Sequence, residues 1–328
     1  MARLIAFDVM SGDLGIEAAI AAIKIALAEN PQMQIIAVGD EKRLQAQLAG
    51  HDRVQIRHAE AVVSMAENPK QAVRRRNTSL YKTIELVADG HANVAVSAGN
   101  TGALMITAKV LLKMRPPYRR PAIAGQIPCV GCTDSFTMLD LGANVDRSPE
   151  MLVDFARMGS EFARVVKGSD SPRIALLNVG TENIKGGQDL LAAHQLLGET
   201  DLNYTGFIEA NSLFDPATAA ADLPQVVVCD GFVGNVFLKT IEGLSKMIKS
   251  MFGNAYQSTA YSRLAGLVSL PVLNGLRKTM DSRRYNGASF LGLRGLVVKA
   301  HGNSDSVGLA CALAFAMRQI DDQQSLIG

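Results

Sequence analysis

No apolar run in this chain approaches the ~20 residues that a transmembrane helix needs, so any membrane contact would have to be peripheral. Charge of one sign is also missing. The formal net charge is +2, too small to argue for a nucleic-acid partner, although basic residues cluster at Arg74 to Arg76, Arg115 to Arg120 and Arg277 to Arg284. Cysteine is scarce, and four in 328 residues fit a reducing compartment better than a disulfide framework. Cys129 and Cys132 form a lone C-x-x-C with no second pair behind it. The flanking Pro128 and Gly131 read as a turn, so no metal is expected there. The opening MARLIAFDVMSGD runs straight into a strand pattern without the successive regions of an export signal, and the expected compartment is the cytosol.

The familiar catalytic signatures are absent too. There is no G-x-G-x-x-G, no Walker pattern, no H-E-x-x-H, no G-x-S-x-G and no His-rich cluster. No cofactor and no metal is therefore called for by motif, and metal hydrolysis and serine acyl-enzyme chemistry lose their usual marks.

What the chain does have is one device used four times. In VAVSAGNTGAL, FTMLDLGANVD, IALLNVGTENIKGG and VVVCDGFVGNVFLK an apolar run ends in a small polar cluster with glycine and gives way to a helical pattern. A strand feeding a helix through a glycine turn leaves unpaired backbone N–H groups above the sheet, a natural seat for phosphate. The residues at these turns that could meet a ligand are Ser97, Asn100, Thr101, Asp140, Asn144, Asn178, Thr181, Lys185, Asp230, Asn235 and Lys239, with the backbone of Gly180. They are expected to crowd one edge of the sheet as a phosphate-handling site.

Strand and helix patterns alternate almost throughout, which predicts an α/β fold. RLIAFD ends at Asp8 and is followed by Gly12, Asp13 and a helix from about Ile16 to Ala28; strands follow at 34 to 39 and 54 to 59. A helical stretch from Lys70 to Ala88 is expected to carry the three arginines in its first half. The chain reads as one domain over 1–328, with two lobes, a cleft between them, and an internal boundary at the proline-bearing 115–121. A helical hairpin is expected over about 255–281, with Leu264, Leu267, Val268 and Leu273 as an apolar stripe broken by Pro271 and Gly275. The sheet resumes at 295 to 300, and a helix from about Ser304 closes the chain. Lys185, and Lys299 with His301 in VVKAHGNSD, stand out as cations near helix starts, where the helix dipole favours an anion rather than a lysine. Ser304 belongs to the same turn. Asp8, Asp140 and Asp230 end strands as ligand contacts or as caps.

With those residues in hand, the chain resembles the PlsX family of bacterial phosphate acyltransferases from about Leu4 to Ala316. The resemblance rests on SAGNTGAL (97–104), LDLGANVD (139–146), ALLNVGTENIKG (175–186), VCDGFVGNVFLKT (228–240) and YNGASFLGLRGLVVKAHGNSD (285–305). Two departures are visible. Ser11 stands where the family usually has a second glycine, and Ile16 where a proline is common. The resemblance implies a three-layer α/β/α fold akin to isocitrate and isopropylmalate dehydrogenases and to phosphotransacetylases. It also implies a homodimer, peripheral attachment to the membrane beside the downstream membrane acyltransferase, and acyl transfer from acyl-[acyl-carrier protein] to inorganic phosphate. On that basis Lys185 and the amides of Gly180 to Gly187 are expected to hold phosphate. His301 or Lys299 would stabilise the oxyanion or protonate the departing thiolate. A phosphotransacetylase acting on acyl-CoA, a decarboxylating dehydrogenase of the same fold, and a non-enzymatic acyl or phosphate sensor remain the alternatives.

Overall fold

The computed structural model describes residues 3–128, 135–218, 223–271, 275 and 286–327, with side chains to residue 321. Cys129 and Cys132, the second half of the expected hairpin, and Arg277 to Arg284 lie outside the described residues. The first half of the chain alternates strand and helix: β1 (Arg3–Asp8), α1 (Gly15–Glu29), β2 (Met33–Gly39), α2 (Glu41–Leu48), β3 (Val54–His58), α3 (Pro69–Ala72), α4 (Ser79–Ala88), β4 (Val94–Ser97) and α5 (Thr101–Leu112). The middle comprises β5 (Ala122–Pro128), β6 (Ser135–Leu139), α6 (Pro149–Lys167), β7 (Ile174–Leu177), α7 (Gln188–Gly198), β8 (Tyr204–Ile208) and β9 (Val226–Val228). The last part holds α8 (Gly231–Gln257), α9 (Ala260–Val268), β10 (Ala288–Leu291), β11 (Leu296–Lys299) and α10 (Ser306–Ile327).

The elements form where local chemistry favours them. Ile16, Ile20, Ile23 and Leu27 repeat at helical spacing and are buried along α1, each worth about 1.5–3 kcal/mol on burial. Ser148 caps α6, Pro149 occupies its first turn, and Gly168 closes it in the left-handed conformation. The single helix expected over 70–88 is instead two. Thr78 accepts from the Tyr81 N–H and starts α4 afresh, so Arg74, Arg75 and Arg76 lie on the connection between α3 and α4. Arg75 is tied to Glu67 at 2.8 Å, while Arg74 and Arg76 are exposed.

One sheet of 11 strands runs through the molecule in the order β3-β2-β1-β4-β11-β10-β5-β6-β9-β7-β8. Helices α1, α6 and α10 cover one face, and α4, α5 and the start of α8 cover the other. Three layers result. The strands β3, β2, β1, β4 and β11 are mutually parallel. Next, β10 is antiparallel to both β11 and β5, and β5 is antiparallel to β6. Beyond that point β6, β9, β7 and β8 are again parallel to one another. Three antiparallel pairings in a row turn the second parallel block to point opposite to the first. The four glycine turns therefore cannot share one edge, contrary to the sequence expectation. Those after β6, β7 and β9 lie at one end of the sheet, and the one after β4 lies at the other with the ends of β1 and β11.

Candidate active site

At the end of β1, β4 and β11 three loops meet. Gly12 adopts φ +98°, and a Cβ there would sit 3.2 Å from both the Ala98 Cβ and the Gly302 carbonyl oxygen; only glycine suits that conformation and approach. The Asp13 N–H donates to the same Gly302 oxygen at 2.7 Å. Asp8, the last residue of β1, is wholly buried. Its Oδ2 accepts from the hydroxyls of Ser11 and, at 2.9 Å, Ser97. Burial pushes its pKa up, toward the neutral form that does not repel an anion. Ser11 thus serves Asp8 and does not cap α1, whose start has no side-chain cap.

Lys299 ends β11, half-buried, with its Nζ donating to the carbonyls of Ala300 and, at 3.4 Å, Ala98. Burial, reinforced by the neighbouring Lys239, brings its pKa from 10.5 down to about 8, with Asp13 and Asp8 pulling the other way. His301 follows in the β11–α10 loop. Its backbone N–H donates to Asn286 Oδ1 at 2.9 Å, and its carbonyl accepts from Ser304 Oγ at 2.7 Å. The buried Asn286 also donates to Ser304 Oγ at 2.8 Å and to the Gly308 carbonyl at 2.6 Å. Across from this loop runs α8. Its Glu242 Oε1 stands 3.3 Å from His301 Nδ1, while Oε2 takes the Lys239 ammonium at 3.0 Å. Burial pushes the His301 pKa down, Glu242 pulls it up, and Lys299, Lys239 and Lys246 push it further down.

The structure thus brings Asp8, Gly12, Asp13, Ser97, Lys239, Lys299, His301 and Ser304 to one corner. Asn100 and Thr101 border it. Asn100 is occupied by the fold, since its Oδ1 caps α5 through the Ala103 N–H at 3.0 Å and its Nδ2 donates to the Met65 and Glu67 carbonyls at 2.9 and 3.1 Å. Sequence reasoning missed Glu242 and Asn286. Glu242 sits three residues past Lys239 on the same helix face, and Asn286 is the second residue of the YNGAS segment, so a pairing of α8 with the last loop was the signal needed.

The remaining expected residues gather at the opposite end. Asp140 is buried and its carboxylate accepts the N–H groups of Ile123, Gly142, Ala143 and Asn144 at 2.7–3.2 Å, together with Asn144 Nδ2 at 2.9 Å. Asp230 caps α8 through the Val233 N–H at 2.9 Å and pairs with Arg147 at 3.1 Å. Asn235 lies beside Gly142. Asn178 donates to the Lys185 carbonyl at 2.9 Å, Gly180 leaves room for the Lys185 side chain, and Thr181 is exposed. Lys185 itself pairs with Glu182 at 2.9 Å with about half of its side chain in solvent. Its loop follows β7, five places along the sheet from β11, roughly 24 Å at ~4.8 Å per strand. Within the chain Lys185 and His301 do not share a site.

A family model described as a fatty acid synthesis protein matches residues 4–326. A phosphate acyltransferase of Alcanivorax borkumensis is 46% identical over 319 residues, spanning 95% of this chain and 92% of its own. One from Dichelobacter nodosus is 43% identical over 325 residues, spanning 97% and 92%. The chain belongs to the phosphate acyltransferase family. It is accordingly an acyltransferase. A phosphotransacetylase from Streptococcus pyogenes matches the fold with a TM-score of 0.63 at 16% identity, over 97% of this chain and 94% of its own. A 4-hydroxythreonine-4-phosphate dehydrogenase from Burkholderia phymatum does so at 0.52 and 13%, over 97% and 98%. These likenesses show the fold, the three-layer arrangement shared by phosphotransacetylases and dehydrogenases.

Proposed function

We propose that this phosphate acyltransferase moves an acyl group from a carrier-protein thioester to inorganic phosphate, releasing acyl phosphate and free carrier for bacterial phospholipid synthesis. The observation that carries the proposal is the meeting of Lys299, Lys239 and His301 where β1, β4 and β11 end, against a buried Asp8 shifted toward its neutral form. Lys299 and Lys239 hold the phosphate dianion beside the thioester carbonyl, so positioning and charge supply most of the acceleration. A phosphate oxygen forms the new bond to the carbonyl carbon, and the carbon–sulfur bond breaks. The downshifted, neutral His301 takes the proton of monohydrogen phosphate and returns it to the departing sulfur, whose thiol has a pKa of about 8.5. No cofactor enters the balance. Because Lys185 stands apart from this corner, the phosphate role passes from it to Lys299 and Lys239.

The carrier is an acidic partner, and the exposed Arg74, Arg76, Arg119 and Arg120 suit its docking. Arg115 is less available, being paired with Glu161 and set over the Tyr118 ring. Homodimerisation and peripheral membrane contact belong to the same proposal. They are supported by the apolar side chains that α9 leaves in solvent, among them Leu264, Leu267 and Val268. Among the described residues no helix is long and apolar enough to cross a membrane. The test is phosphate-dependent release of free carrier thiol from an acyl-carrier substrate, run beside the same acyl group on coenzyme A. Release from the carrier at the higher kcat/KM supports the proposal. Preference for the coenzyme A ester transfers it to the phosphotransacetylase alternative, and no release from either overturns it.

A further inference from the structure

We propose that Glu242 is the positioning residue for His301, holding the ring by Nδ1 so that Nε2 faces the phosphate and the departing sulfur. Its role rests on that proposed for His301. Glu242 lies about three turns into α8, a helix that starts at the opposite end of the sheet and delivers this one carboxylate to the β11–α10 loop. Oε2 is committed to Lys239 at 3.0 Å. Oε1 is buried from solvent and makes no hydrogen bond among the described residues, and His301 Nδ1 stands 3.3 Å from it. A buried carboxylate oxygen left unpaired is costly, and an Nδ1–H directed at it removes that cost. The proton then resides on Nδ1, and the lone pair is left on Nε2. The backbone of His301 is fixed independently by Asn286 and Ser304, so ring orientation is the freedom that remains for Glu242 to settle.

The chemistry gains twice from this arrangement. When Nε2 takes the proton of monohydrogen phosphate, the carboxylate beside Nδ1 stabilises the imidazolium. When the carbon–sulfur bond breaks, the same proton passes from Nε2 to sulfur and the ring returns to neutral. The charged groups facing His301 are Glu242, Lys239 and Lys246 from α8 and Lys299 from β11, with Asp13 beside Gly302 in the adjoining loop. Glu242 is the carboxylate that favours the charged ring, and the three lysines oppose it.

The test is the titration of the His301 ring by NMR, assigned by comparison with His301→Gln, together with the pH profile of kcat/KM. Glu242→Gln is expected to lower the His301 pKa by about one unit, move the acid limb of the profile the same way, and cut kcat roughly tenfold, part of the usual acid–base contribution. Phosphate KM stays within about twofold. Lys239→Met, which removes a like charge, moves the NMR pKa upward. In the double variant, Glu242→Gln adds no further loss to His301→Gln, because a residue acting through another contributes nothing once that other is gone. An unmoved His301 pKa in folded Glu242→Gln protein, or losses that multiply in the double variant, overturns the positioning role alone. Parental turnover in His301→Gln overturns the functional reading and this role with it.

Discussion

Lys299→Met should make the protein more stable at neutral pH while depriving it of its phosphate. Burial brings the lysine pKa from 10.5 to about 8. Below pH 8 the amine is charged in the folded and unfolded chain alike, and the fold bears the cost of burying that charge. Between about pH 8 and 10.5 the unfolded chain keeps the proton and the folded protein does not, so stability rises with pH. The difference is about 2.5 units, which at ~1.4 kcal/mol per unit amounts to about 3 kcal/mol. Methionine fills the space of the lysine stem without a charge and removes that cost. It also forfeits the hydrogen bonds to the Ala98 and Ala300 carbonyls, worth about 1 kcal/mol each, so the variant should gain about 1 kcal/mol at pH 7. Losing one charge-assisted contact should raise the phosphate requirement by roughly one to two decades. The assay is urea unfolding of parent and variant from pH 7 to 10.5. Groups common to both cancel in the difference, and the parent should gain about 3 kcal/mol on the variant over that span. A difference that stays flat would refute burial as the cause of the shift.

His301→Gln should lower turnover about 10²-fold with phosphate saturation little changed; a loss confined to thermal stability would make it a structural histidine. Asp140→Ala should destabilise by at least about 3 kcal/mol, since four backbone N–H groups and the Asn144 amide lose their acceptor, and calorimetry checks it. Leu267→Glu together with Val268→Glu, at positions 64% and 77% exposed, should abolish co-sedimentation with anionic vesicles while leaving activity and the proposed dimer intact. Loss of the dimer instead would identify the α9 stripe as an interface between copies.

The element list was largely legible because period and caps were strong. The pattern of α1 placed it within a residue or two, and the apolar runs of β1, β4, β7 and β11 marked the sheet. Two features were not. The span 70–88 read as one helix because its apolar spacing continues past Thr78, yet Thr78 caps a new helix there. The reversal of the sheet depends on β10, four residues between Gly287 and Gly292, both at positive φ. So short a run carries no period, and without it the two parallel blocks read as one. Lys299, His301, Asp8 and Gly12 were found from the sequence because strand ends are readable. Their partner Glu242 was not, since it arrives from a helix whose start lies at the other end of the sheet.

The same reversal changes what can hold the anion. The sequence suggested that helix-start amides would seat phosphate at four glycine turns, but the structure gives those amides acceptors of their own at three of them. Asn100 Oδ1 takes Ala103 N–H, Asp230 Oδ1 takes Val233 N–H, and Asp140 takes those of Gly142, Ala143 and Asn144. In two of these turns the acceptor is an aspartate carboxyl group, which already takes the N–H groups an anion would need. At the fourth, after β7, the lysine already has Glu182. The corner at the end of β11 differs because burial, with the Lys239 charge adding to it, pushes the Lys299 amine toward losing its proton. In the proposed function a phosphate dianion beside Lys299 and Lys239 favours the charged amine, so binding offsets part of the cost of burying it. Side-chain cations, rather than free helix amides, are what this corner offers the proposed phosphate.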